Sequence, residues 1–179
     1  MARESNGTGG AESEVPIAVE LVSASGSRQP LEDPLDLSVW ITNVSEEPVW
    51  MVGVLPGSEG LRYPHYVAEI VGPAGPIQVQ FPEALDYVRG LRSGDFVRLA
   101  PGGSFDPQGE GFVPIQQLAW FKPSEPGTYR LRICFDATAQ DPRQWLGHTS
   151  VRDQHKVEGL LAQVPRVKVW SNALEINVD

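Results

Sequence analysis

Pro126-Gly127-Thr128-Tyr129, running into Arg130-Leu131-Arg132-Ile133-Cys134-Phe135, constrains this chain more than any other stretch. A Pro-Gly corner turns the backbone, and strict alternation follows. Tyr129, Leu131, Ile133 and Phe135 share one parity; Arg130, Arg132, Cys134 and Asp136 share the other. A period of two is the signature of a half-buried strand. It fixes a fold class and leaves the chemistry open.

Other stretches repeat the pattern. Val15, Ile17, Val19 and Leu21 alternate, as do Leu35, Leu37, Val39 and Ile41 against Asp36, Ser38, Trp40 and Thr42. The turn cluster at 43–48 leads into Val49-Trp50-Met51-Val52, and the two flanking strands read as a hairpin. Further strands are predicted over 66–71, 77–81, 96–99 and 173–178, with 167–170 as an earlier half of the last. Residues 112–118 read as a strand weakened by Pro114, which favours an edge. Only 154–163 suggests a short helix. The 18 Gly and 16 Pro supply turns between many short strands. The expectation is an all-β, two-sheet antiparallel sandwich of about seven to nine strands. A polar tail over 1–13 precedes a single domain over 14–179.

The PGTY corner before a strand, with the ending Ser171-Asn172-Ala173-Leu174-Glu175-Ile176-Asn177-Val178, resembles bacterial immunoglobulin-like or fibronectin-type domains. Tyr129 looks like the tyrosine corner of such sandwiches. The resemblance implies that its hydroxyl bonds nearby backbone. The cysteine pair of antibody domains is absent, and fold analogy of this kind gives no activity.

Charge and cysteine content exclude several functions. A net charge of -9 argues against a general grip on nucleic acid and against anionic membrane surfaces. Cys134 is the only cysteine, so neither an intrachain disulfide nor a CxxC zinc site exists. With no apolar leader and no run of about 20 apolar residues, a cytoplasmic location is expected. Asn6-Gly7-Thr8 and Asn43-Val44-Ser45 fit the glycosylation triplet and read as chance matches without a secretion signal.

No catalytic or metal constellation stands out. There is no GxSxG elbow, and the Gly-rich turns lack a P-loop lysine. His148 and His155 are too far apart for a short HxxxH metal pair. Cys134 lies on the parity of Arg130 and Arg132, which would lower its pKa were it a nucleophile; a spectator thiol is the plainer reading. No cofactor and no enzymatic activity are expected.

The 136–166 connection is the unusual feature, far longer than a hairpin loop. It carries Trp145, His148, Asp141 and Arg143. The expected function is therefore a non-catalytic interaction module, meeting an unidentified protein partner through this connection. Trp145 would be the contact, Asp141 and Arg143 would orient it, and His148 would stand nearby. Alternatively, Trp145 folds back over the sandwich edge beside Leu146 and Leu160. Two rival functions are a carbohydrate-binding module stacking sugars on exposed tryptophans and a loop-inserting peptidase inhibitor. The second lacks the NPTTG motif.

Overall fold

The computed structural model describes residues 15–80, 89–147 and 153–179. The chain is mainly β, with strands β1 (Ile17–Ser23), β2 (Arg28–Gln29), β3 (Leu37–Asn43), β4 (Val49–Val52), β5 (His65–Gly72) and β6 (Gly75–Ile77) in its first part. A 3-10 turn at Ser93–Asp95 leads to β7 (Phe96–Leu99) and β8 (Ser104–Phe105). Helix α1 (Gln116–Ala119) precedes the long β9 (Gly127–Asp136). Helices α2 (Arg143–Leu146) and α3 (Gln154–Leu161) lie before β10 (Lys168–Trp170) and β11 (Leu174–Val178).

Three open sheets form. One has the order β1-β3-β8, a second β2-β11-β9-β5-β6 with β10 also on β9, and β4 and β7 make a two-stranded third. The inward residues predicted by parity meet in one core. Ile17, Val19, Leu21, Val39 and Ile41 from the first sheet join Tyr129, Leu131, Ile133, Phe135 and Ile176 from the second. Side chains alternate sides along a strand, so this shared parity is what lets two sheets bury one face each.

At the PGTY corner, Tyr129 donates its hydroxyl hydrogen to the Glu125 carbonyl at 2.8 Å. Gly127 has φ +140°, in the region that L side chains rarely adopt, and a Cβ there would run into the Pro73 ring.

Between β10 and β11 the ladder slips. Trp170 faces Cys134, while Leu174 faces Leu131. Residues 171–173 thus oppose only 132–133, a one-residue bulge. The extra residue reverses parity, so Trp170 points away from the core with Cys134 while Leu174 and Ile176 point inward. Ser171 and Asn172 fill the gap. Ser171 Oγ accepts the Ile133 N–H at 2.9 Å.

Three expectations are corrected. β3 and β4 do not form a hairpin; β3 pairs with β1 and β8, and β4 pairs with β7. Asn43 explains the divergence. Its buried amide donates to the carbonyls of Glu47 and Leu99 and accepts from Ser45, folding 43–47 into a turn that leaves the sheet. The same burial puts the Asn43 triplet out of reach of glycosylation. Residues 112–118 are not a strand: a loop leads into α1, anchored by the buried Ile115 and Leu118. Of the expected 77–81 strand only Ile77 pairs, at the end of β6, and Phe81 lies outside the described residues. The 136–166 connection carries α2 and α3, the latter within the short helix expected over 154–163. The 1–13 tail and Asn6 lie outside the described residues, and among those described no helix is long and apolar enough to cross a membrane.

Candidate functional site

Strand β5 is only half covered. Its ladder to β6 holds at Gly72, Val71 and Ile70 and stops there. Pro76 has no N–H, which suits β6 to a sheet edge. Beyond Ile77 the chain at Gln78 and Val79 leaves the ladder and a cleft opens beside Ala68. It has a volume of about 330 Å³ and is lined by Ala68, Ile70, Ile77, Gln78, Val79 and Gln117. Four of these six side chains are apolar and the other two are neutral amides.

Among the described residues no strand closes this stretch of edge. The Tyr66 N–H donates to the Ser58 carbonyl at 2.8 Å. The Ala68 N–H donates to the side-chain Oε1 of Gln117 at 2.6 Å. In a strand, a residue's N–H and C=O point to the same side, so the Ala68 carbonyl also faces the cleft. Gln117 reaches it because Ile115 and Leu118 bury the other side of α1. Glu59 fixes that helix from the outside, accepting the Gln117 N–H at 2.9 Å. Burial pushes the Glu59 carboxyl above its ordinary value, and the hydrogen bonds from Gln117 and Gln116 only partly offset this. Trp120, directly after α1, is 53% exposed.

The residues singled out in the long connection have other roles. Trp145 is 0% exposed, and its Nε1–H donates to the Ala139 carbonyl at 3.0 Å. The Arg166 guanidinium sits 4.4 Å from its ring centroid, and Arg62 donates to its carbonyl at 2.6 Å. The reading of Trp145 as a surface contact is corrected: its ring belongs to the core with Val157 and Leu161 of α3, because burying an indole outweighs leaving it in water. Asp141 and Arg143 are brought together, but with each other, in an exposed pair at 2.7 Å. They do not orient Trp145. His148 lies outside the described residues.

Arg62 is the buried cation that ties this region. It donates to the carbonyls of Arg89 and Trp145 at 2.6 Å each, while its Nε finds no partner among the described residues. Burial lowers its pKa to about 10, against the pull of Asp95.

A second polar surface lies on the outer face of the larger sheet. Arg132 pairs with Glu69 through two 2.8 Å hydrogen bonds and stacks 4.0 Å over Trp170. His65, Asp136 and Lys168 form the neighbouring row, with Tyr63 stacked on His65 at 3.9 Å. Cys134 stands between these rows and is buried. The expected lowering of its pKa by arginine is reversed: burial pushes the thiol up, and Lys168 and Arg132 offset this only in part. Burial likewise lowers the His65 pKa, so its imidazole is mainly neutral at pH 7. A buried thiol held in its protonated form is a poor nucleophile. Among the described residues no cluster of His, Cys, Asp and Glu suits a metal ion.

The exposed tryptophans do not form one platform. Trp40 (41% exposed) is on β3, Trp170 (40% exposed) on β10 and Trp120 beside α1. Trp40 and Trp170 point away from the shared core on different sheets, and Arg132 covers one face of Trp170.

The cleft was missed from sequence because a glutamine plugging a strand edge from 49 residues away has no local signature. Only Pro76, next to Ile77, marked an edge. No protein-family model, curated protein or solved structure matches this chain.

Proposed function

We propose that this chain is a non-catalytic interaction module of the immunoglobulin-like sandwich class, taking up a segment of a protein partner at the cleft beside β5. One observation carries the reading. The Ala68 N–H, on an incompletely paired sheet edge, is held by a side chain instead of a strand, next to a cleft lined by the half-buried Ile77 and Val79 and by the amides of Gln78 and Gln117. Sheet edges of this kind accept an added strand, whose backbone supplies affinity while the pockets between alternate side chains supply specificity. The bond from Tyr129 to Glu125 supports the sandwich class, since it is the tyrosine-corner contact. The burial of Trp145 favours the cleft over 136–166, the segment favoured by sequence, as the contact surface. A sugar platform and an inserting loop each lack a supporting arrangement among the described residues.

The test is a displayed library of extended peptides, selected against the intact chain. Selected peptides should lose binding to Val79→Trp, which fills the cleft without touching the β5–β6 ladder, while circular dichroism stays unchanged. Peptides that bind the blocked variant equally well would remove the cleft from the reading.

A further inference from the structure

We infer that the occupant of the cleft is an extended peptide segment carrying a basic residue beside an apolar one, and that it enters by replacing the Gln117 side chain on the Ala68 N–H. The inference rests on the preceding reading and adds the chemistry of the partner and its route in.

The route follows from the bonding at Ala68. Gln117 Oε1 occupies the position that the carbonyl of an added strand would take. A side-chain amide carried on the short helix α1 swings away by rotamer changes, whereas a paired strand would have to unzip. The added strand would give the Ala68 N–H a backbone acceptor and its C=O a backbone donor. One hydrogen bond is exchanged and one is gained. At the small end of the ligand-cleft range, about 300–1,000 Å³, the space admits a short run of side chains. Ile77 and Val79, both half-buried, offer apolar contact to an inward-pointing side chain of the occupant.

The charge of the occupant follows from Glu59. It is the ionisable group bonded to the plug, through the Gln117 N–H. Among the described residues no Lys or Arg pairs with it, and burial already penalises its ionised form. A Lys or Arg on the occupant would pair with it, whereas an acidic residue would add a like charge to a chain of net charge -9.

Three short synthetic peptides decide the matter: alternating Val-Lys, Val-Ser and Val-Glu, titrated with the intact chain while the Ala68 amide signal is followed by NMR. The Lys peptide should bind tightest and the Glu peptide weakest, each binding event shifting the Ala68 amide. Gln117→Ala should tighten binding about fivefold by removing the competitor for one hydrogen bond. Glu59→Gln should erase the preference of the Lys over the Ser peptide. Equal binding of all three with a shifted Ala68 amide would overturn the basic-residue inference and leave the cleft as the site. Unchanged or weaker binding to Gln117→Ala, with its fold intact, would overturn the displacement route. If none of the peptides moves the Ala68 amide, both this inference and the cleft reading fall.

Discussion

The side chain of Asn172 holds both backbone groups of Leu21. Its Oδ1 accepts the Leu21 N–H at 2.8 Å, and its Nδ2 donates to the Leu21 carbonyl at 3.0 Å. Asn172 sits in the bulge between β10 and β11, and Leu21 sits on β1 of the other sheet. The bulge therefore does two things at once. It reverses the parity of the closing strand, and it frees an amide to act as a one-residue partner strand for β1.

Asn172→Ala should cost about 2 kcal/mol, because it leaves two backbone groups of the core residue Leu21 without partners. Asn172→Asp keeps an acceptor for the N–H but sets an oxygen against the Leu21 carbonyl, and should be no better tolerated. Urea denaturation of both variants checks this. An effect below about 0.5 kcal/mol for Ala would mean that water replaces the amide freely.

Trp145→Ala should lower stability by about 3–5 kcal/mol through the cavity it leaves. Trp145→Phe keeps most of the apolar contact, loses the bond to Ala139 and weakens the contact with Arg166, and should cost about 1–2 kcal/mol. Chemical denaturation reads both. A stable Ala variant would put the indole on the surface after all.

Gly127→Ala should be more harmful than an ordinary surface substitution. The position combines φ +140° with contact against Pro73, so the new methyl meets both backbone strain and a ring. A loss of at least about 1–2 kcal/mol is expected. Tyr129→Phe, which removes only the bond to Glu125, should cost about 1 kcal/mol. Thermal melts of the two variants should rank in that order.

Stability should fall as the solution is made alkaline. Burial raises the folded-state pKa of Cys134 above its ordinary value of 9.0 and that of Tyr66 well above 10.0. In the unfolded chain both groups ionise at those ordinary values, while the folded chain keeps its protons. The unfolded state then binds fewer protons, and stability declines from about pH 9 upward. Arg62, whose folded pKa is lowered to about 10, acts in the opposite sense, but only above about pH 10. Cys134→Ala should flatten the first part of the decline. An unchanged profile in that variant would show that the thiol ionises as readily folded as unfolded.

The strands were legible because their cause is local. Alternation from Tyr129 to Phe135 and from Leu37 to Ile41 is a property of neighbours in the chain, and the core parity followed from it. The Tyr129 corner was legible for the same reason: a Pro-Gly turn and a tyrosine in one short run. What the sequence could not determine was which strand met which. The divergence of β3 and β4 depends on Asn43 reaching Leu99, and the course of the closing strand depends on a bulge that answers β9. Trp145 had two readings in the sequence, and the packing of Arg166, Val157 and Leu161 around it decided between them. The cleft belongs wholly to the tertiary structure. Gln117, Glu59 and Ala68 are unremarkable where they stand in the chain. They form a site because α1, anchored by Ile115 and Leu118, brings one amide to the unpaired stretch of β5.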